Sequence, residues 1–453
     1  MPQIIRKENI PKILISLLFP ILIILIKPIG LSLNQSIVLG SLFLTVIWWA
    51  SGIVYKDAAS IFLIFMFVLF GGTPIEKVFF FPLSDNFILV IASYLLSQGI
   101  VNSKVADKFS SFILEKYCYN SIRLVIMSFL LGIGLIFVIP QPFPRVILLA
   151  SIYINFLKNS KVDKEEKSVL IFSVFVASTI TSLMFLNGDV IINYSALKFG
   201  GISMTYIEWA KNMLLPTLIT TIIIAAAFIL VFKKNLKGSF ERKNTEEKIS
   251  FENSEKKALF ITFVVVLLWL TESIHGISSA NVALIGVIAM FIAKIIGIKD
   301  FKVINISLLI FLTAEFSIGK VLTGSGIADN LRDFLTGFFP SPESIMYIPF
   351  IIILIMFLHM IMGSLVTAAS VLIPTLITLT AGNLSPQFIV MLSVVSICFH
   401  YIMPFHHVTI MIGYGNEYYE NRHVMKIGII LTFITIFTVL FVYIPWWKLV
   451  GVI

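Results

Sequence analysis

The chain has 453 residues, 58% hydrophobic and only 13% charged, with a formal net charge of +9. A soluble domain carries about 25% charged residues, so this composition excludes an ordinary water-soluble fold. The positive balance is not a nucleic-acid signature: Lys and Arg collect in short connecting stretches, as the positive-inside rule distributes them in a membrane protein.

Met1–Asn9 holds Arg6 and Lys7 and precedes the apolar run Ile13–Ile26. The pattern resembles a secretion signal, but Lys27-Pro28 stands where a small-residue cleavage site belongs, so residues 1–33 are expected to keep this run as a first helix. Leu31–Tyr55, Leu124–Pro144, Ser168–Gly188, Asn212–Phe232 and Ile427–Trp447 carry no charge. Neither does Ser344–Asn416, which is long enough to supply more than one span. Backbone polar groups in lipid must be satisfied within the segment, so these runs are helices, and the alternation of a membrane β-barrel is missing. Cys118 and Cys398 lie far apart and show neither a disulfide framework nor metal-ligand spacing.

Lys233–Lys257, with eight basic and five acidic residues, divides the apolar chain near its middle. This linker and the N-terminus are expected in the cytoplasm. The halves on either side, 34–232 and 258–453, show a faint internal repeat. Ala92–Asp107 shifted by 222 positions (Ala92 onto Ala314) falls on Ala314–Asp329, with Ala92, Ser103, Ala106 and Asp107 matched outright. Trp48 pairs with Trp269 at nearly the same shift. In both copies the apolar segment is short and interrupted: Phe87–Val101 before Asn102-Ser103, and Val303–Ile318 before Gly319-Lys320. Such segments at corresponding places in two halves point to re-entrant elements near a substrate site; the alternative is a pair of ordinary short helices ending in caps.

Polar residues at membrane depth are costly and so are candidates for function. Pro140, Pro142 and Pro144 cannot share one continuous helix, so the backbone around Gln141 must unwind. Freed carbonyls there can hold an ion, and Arg145 would open the next half-helix at its positive end, which suits an anion. A Pro-kinked turn with Arg145 reaching the membrane surface is the alternative. Asn187-Gly188-Asp189 reads either as a helix end with Asp189 as a cap or as a broken helix holding a cation or proton. Gly363-Ser364, with Thr367 and Ser370 following, offers close backbone approach and hydroxyl donors, or simply helix packing. His406 and His407 follow Pro404 deep in the uncharged stretch and precede Thr409. Adjacent histidines do not share a helix face, so a helical metal pair is not indicated; an anion contact, a proton carrier and a packing role all remain. Glu272, His275, Glu315 and His359 are weaker candidates of the same kind. No phosphate-cradling loop with Lys-Ser/Thr is present, and no catalytic triad or zincin spacing stands out, so the chain does not read as an ATPase or an enzyme.

These residues resemble the divalent anion/sodium symporters, dicarboxylate- and sulfate-type members of the ion transporter superfamily. Trp48-Trp49-Ala50-Ser51-Gly52-Ile53 is similar to that family's early Trp-Trp-Ile-Thr-Glu-Ala-Ile-Pro stretch. Trp269-Leu270-Thr271-Glu272-Ser273-Ile274 resembles its second-repeat counterpart more closely. Ser203–Pro216, Tyr401–Gly415 and the ending Pro445–Gly451 resemble further family stretches. The family's Ser-Asn-Thr motifs, which bind sodium and carboxylate, align with Pro140-Gln141-Pro142 and with Ser364-Leu365-Val366, so a divergent member is implied. The resemblance implies two inverted repeats with broken helices and re-entrant hairpins, and a homodimer in which a transport part moves against a fixed scaffold.

The expected fold is therefore an all-α integral membrane protein with about 11 transmembrane helices and two re-entrant hairpins. The expected function is secondary transport of a small organic anion across the cell membrane, with sodium or protons as coupling ion. Gln141, Arg145, Ser364, Thr367, His406, His407 and Thr409 would face the substrate. Pro140, Asn187, Asp189 and Gly363 would serve the coupling ion. An exporter, a passive channel and a membrane-embedded enzyme built on His406, His407 and Asp189 are the rival readings.

Overall fold

The computed structural model describes residues 10–158, 160–240 and 250–453. Arg6 and Lys7, and residues 241–249 of the charged linker, lie outside them. The first half forms α1 (Ile10–Ser16), α2 (Leu18–Ile26), α3 (Leu33–Ser51), α4 (Lys56–Phe70), α5 (Ile75–Val78), α6 (Asp85–Ser103), α7 (Val105–Tyr117), α8 (Ser121–Gly134), α9 (Pro142–Leu157), α10 (Lys164–Thr181), α11 (Val190–Phe199) and α12 (Tyr206–Phe232). The second half forms α13 (Asn253–Leu270), α14 (Glu272–His275), α15 (Ser279–Ile292), α16 (Ile306–Gly324), α17 (Ile327–Thr336), α18 (Tyr347–Met362), α19 (Leu365–Leu379), α20 (Pro386–Cys398), α21 (Val408–Gly415), α22 (Asn421–Thr438) and α23 (Ile444–Val450).

Four of these helices are long and apolar enough to cross a bilayer by length and composition: Asp85–Ser103, Tyr206–Phe232, Ile306–Gly324 and the continuous run Asn421–Val450. Eight shorter apolar helices accompany them. Large apolar side chains point outward along several helices, among them Phe260 and Phe263 of α13 and Phe433 and Phe437 of α22. In water such faces would be a liability; in a bilayer they are the solvent-facing surface. The expected all-α membrane architecture is what the chain adopts.

The order of elements in the first half recurs in the second. A long helix (α6, α16) is followed by a charged one (α7, α17). Then come a helix pair separated by a break (α8–α9, α18–α19), a second such pair (α10–α11, α20–α21) and a long closing helix (α12, α22 running into α23). The halves interlock reciprocally: α6 packs on α15 and α16 on α4, while α10 packs on α8 and α9 as α20 does on α18 and α19. The tryptophan equivalent to Trp269 by contact is Trp49 rather than Trp48. Trp269 Nε1 donates to Ser279 O at 3.1 Å, and Trp49 Nε1 reaches Ser60 Oγ at 3.2 Å, each tying a helix end to the start of the next long helix. Trp48 bonds instead to Ser16 Oγ at 2.9 Å.

The segments expected to be short and interrupted are continuous helices. Phe87–Val101 and Val303–Ile318 lie in α6 and α16, each 19 residues long, which is enough to span. Asn102 and Ser103 continue α6, which ends only at Lys104 (φ 58°). Gly319 does not interrupt α16; an added Cβ there would lie 3.3 Å from Ser370 O and 3.1 Å from Pro374 Cγ, so this glycine lets α19 approach closely. The second arm of each expected hairpin carries charge, such as Lys108 on α7, which pairs with Glu255 at 3.1 Å near the linker. In contrast, α8 and α9 enter and leave by one end. The α8 start is held by Ser121 N donating to Gly238 O at 3.1 Å, and the α9 end packs Phe156 on Phe240 with ring centres 5.4 Å apart. Tyr153 of α9 closes the pair by donating to Leu124 O at 2.9 Å. Likewise Tyr347, opening α18, lies within reach of Asn383 just past α19. The breaks between these paired helices are Leu135–Gln141 and Gly363-Ser364.

Candidate anion-binding cavity

Each half has two breaks, and a break leaves backbone groups that must find partners away from water. In the first half Arg145, fully buried, does most of this. Its guanidinium donates to Ile139 O, Ser178 O and Gly188 O, each at 3.2 Å, so one side chain joins the α8–α9 break, the end of α10 and the 3-10 turn Leu186–Asp189. Asn187 adds a second tie, donating to Ile136 O at 3.4 Å and accepting from Tyr206 at 3.1 Å. Asn193 Nδ2 reaches three carbonyls, Ser182 and Phe185 at 3.2 Å and Leu186 at 3.3 Å, and Trp209 Nε1 takes Leu183 O at 3.0 Å. Close backbone approach fits the same picture: a Cβ on Gly188 would sit 2.2 Å from Ser182 O.

The second half is held by histidines. His359 Nε2 contacts His406 O at 3.2 Å, and the His406 ring is bonded back to the Met360 backbone. His406 Nδ1 accepts from the Ile402 and Met403 amides at 3.2 Å, which makes its Nε2 the protonated nitrogen. His406 thus staples α18 to the 3-10 turn Pro404–His406, as Arg145 staples the breaks of the first half. Gly428 completes the fit; its missing Cβ leaves room for Tyr401 O, which a side chain would meet at 2.2 Å.

The four helices that resume after the breaks begin close together. Their N-caps are Gln141 for α9, Asp189 for α11, Ser364 for α19 and His407 for α21. Three of these use the side chain to satisfy the first turn: Asp189 accepts from the Ile191 and Ile192 amides, Ser364 from Thr367 N, and His407 from Thr409 N. Gln141 does not; it is fully buried, and neither its amide oxygen nor its amide nitrogen has a partner. A cavity of about 390 Å³ lies among these helix starts. Asp189, Ser364, His407 and Thr409 line it, with Phe143 of α9 and Phe311 of α16 as apolar walls. Lys56, at the start of α4, is the one lysine or arginine in the lining, with its ammonium 5.2 Å from the centre of the Phe311 ring.

The sequence-derived candidates therefore divide. Asp189, Ser364, His407 and Thr409 come together at the cavity. Pro140, Gln141 and Gly363 lie in the breaks before α9 and α19 and are not part of its lining. Arg145, Asn187 and His406 are buried in the backbone staples, and Thr367 is buried on α19, bonded to Glu315. Asp189 is a helix cap, and it also lines the cavity. Lys56 is the residue that sequence reasoning passed over. The signal was a charge pair, Lys56-Asp57, directly ahead of the apolar run Ala58–Phe70.

A multi-pass helical membrane protein whose broken helices restart around one internal cavity is the class that this fold and site define. The chain belongs to the sodium:sulfate symporters: the family model described as "Sodium:sulfate symporter transmembrane region" matches residues 7–453. This bears out the resemblance read from the sequence and places the chain in the cell membrane. Among curated proteins, "Putative malate transporter YflS" of Bacillus subtilis (strain 168) is 21% identical over 274 residues. That match covers 57% of this chain and 57% of YflS, so the chain spans little more than half the length of this relative.

Proposed function

We propose that the chain is a secondary active transporter of a small organic anion of the di- or tricarboxylate kind, coupled to a cation gradient. The observation that carries this is the convergence of helix N-termini on a cavity lined by one lysine. Each N-terminus holds partial positive charge and first-turn amides beyond those its cap takes, so several of them around one space favour a small anion there. A volume of about 390 Å³ suits a small solute. The names of the family and of YflS, which mention sodium, sulfate and malate, support the same substrate class.

Ser364, His407 and Thr409 contact the substrate in this reading, and Lys56 supplies its counter-charge. Sodium is the coupling ion we assign to the first half. Gln141 offers a buried amide oxygen without a partner, beside the unwound carbonyls after Pro140, and hard oxygen ligands are what sodium takes. Asn187 and Asp189 complete that region. We further propose two inverted repeats, 34–232 and 258–453, with α8–α9 and α18–α19 as re-entrant hairpins, working as a homodimer with one moving part per protomer.

Purified protein in detergent tests the binding step. Malate, succinate, citrate and sulfate are titrated while the unfolding temperature is followed. An anion at 100 times its Kd stabilises by about 2.7 kcal/mol, which for a chain of this size raises the unfolding temperature by a few degrees. Ser364→Ala should lose most of that rise, measured from its own starting temperature, which loss of the α19 cap lowers by the equivalent of about 1 kcal/mol. If none of the four anions raises it, the carboxylate and sulfate assignment falls.

A further inference from the structure

Glu315 is a carboxylate in the middle of a membrane protein that the account so far leaves unused. It lies on α16, one turn beyond Phe311 and Leu312 of the cavity wall, and is fully buried. Its Oε1 accepts from Thr367 Oγ1 and, at 3.5 Å, from Ser364 Oγ, while its Oε2 has no partner. Of the elements packed against α16, α4 brings Lys56 and Asp57, α5 Glu76 and Lys77, and α11 Tyr194 and Lys198. Among described side chains α17 brings Asp329 and Asp333, and α19 brings only hydroxyls. Lys56 is the charged group that acts on Glu315. Glu315 does not itself line the cavity, but its partner Ser364 does, together with the titratable Tyr94, Asp189 and His407. The position shifted by 222 in the first half (Glu315 from Ser93) is an uncharged serine, also buried and without a hydrogen-bond partner. The two halves thus differ by one ionisable group beside a helix break.

Resting on the anion-transport reading, we propose that Glu315 takes up a proton together with the substrate anion, so that the second half carries its coupling cation as H+. The ionised carboxylate holds the Ser364 hydroxyl and draws on Lys56, the same two groups an anion needs. Two negative charges then compete for one ammonium in a site of low dielectric, and the pair is unfavourable. A proton from the water on the loading side adds to Oε2, neutralises the side chain and leaves Lys56 to the substrate. The same proton leaves Oε2 when the anion departs on the other side. Linkage makes the effect reciprocal: the proton strengthens anion binding by the factor by which the anion strengthens proton binding.

The test is anion binding to the full-length protein as a function of pH, with sulfate, whose charge is constant over the range, and malate as probes. Uptake of one proton per anion makes wild-type affinity rise about tenfold for each unit that pH falls, between the pH where Glu315 protonates in the occupied site and the lower pH where it protonates in the empty one. Glu315→Gln should bind with an affinity independent of pH and, at alkaline pH, more tightly than the wild type. Thr367→Val keeps the carboxylate but removes a donor to its ionised form, so its curve should have the same slope and lie at higher pH. This second variant decides the matter if Glu315→Gln does not fold. A wild-type affinity that ignores pH, a Glu315→Gln variant that keeps the slope, or an unmoved Thr367→Val curve overturns the proposal while leaving anion binding intact. Binding of neither probe at any pH would instead overturn the transport reading beneath it.

Discussion

Arg145→Ala should fail as a folded protein before it fails as a transporter. The side chain is fully buried and its guanidinium serves three carbonyls from three separate segments. Each acceptor left buried without a partner costs about 1–3 kcal/mol. The truncation also opens a void where a long side chain had packed, so a total of about 3 kcal/mol or more is expected. Arg145→Lys keeps the charge but offers one compact head in place of a planar fork, and it cannot reach all three oxygens. It should lose about half as much. The check is the unfolding midpoint in detergent together with the monodisperse fraction on size exclusion. Arg145→Ala with a wild-type midpoint and a lost anion response would place this residue at the substrate instead of in the backbone staple.

Lys56→Gln should do the reverse. Lys56 stands at the start of α4, only partly buried, with its ammonium over the Phe311 ring. Removing it leaves the fold intact and takes away the cavity's fixed positive charge. A charge-assisted contact in such a site contributes about 1.5–3 kcal/mol, so the apparent Kd for a dianion should rise about 10- to 100-fold. The unfolding temperature without anion should not change. Lys56→Arg keeps the charge and should retain most of the affinity. An unchanged Kd in Lys56→Gln would mean that helix N-termini alone hold the anion.

The class of the fold was legible because lipid leaves no other solution: long uncharged runs become helices. The breaks were legible too. Pro140, Pro142 and Pro144 forbid a continuous helix, and Gly363, with φ 65°, stops α18. All four N-caps after those breaks had been picked out as site residues, since a cap and a membrane-depth polar residue are the same signal. What could not be read was direction. Nothing in the residue order says that Arg145 turns inward to carbonyls while Asp189, two helices on, faces the cavity. Nor does it say that His406 closes on α18 while its neighbour His407 lines the site. The expected interruption of α16 misleads for a related reason: Gly319 reads as a break, but it lies inside the helix and lets α16 and α19 touch. Lys56 escaped notice and Glu315 ranked only among the weaker candidates because their meaning depends on α4 and α16 packing across the two halves, far apart in the chain.

The most direct test of the central claim is uptake of radiolabelled malate, succinate, citrate and sulfate into proteoliposomes, with inward sodium and proton gradients imposed separately. The account predicts accumulation of at least one of these anions above equilibrium, driven by a cation gradient, much reduced in Lys56→Gln and Ser364→Ala. Equal flux with and without gradients, or no flux of any of the four from protein that is shown to be folded, would contradict it.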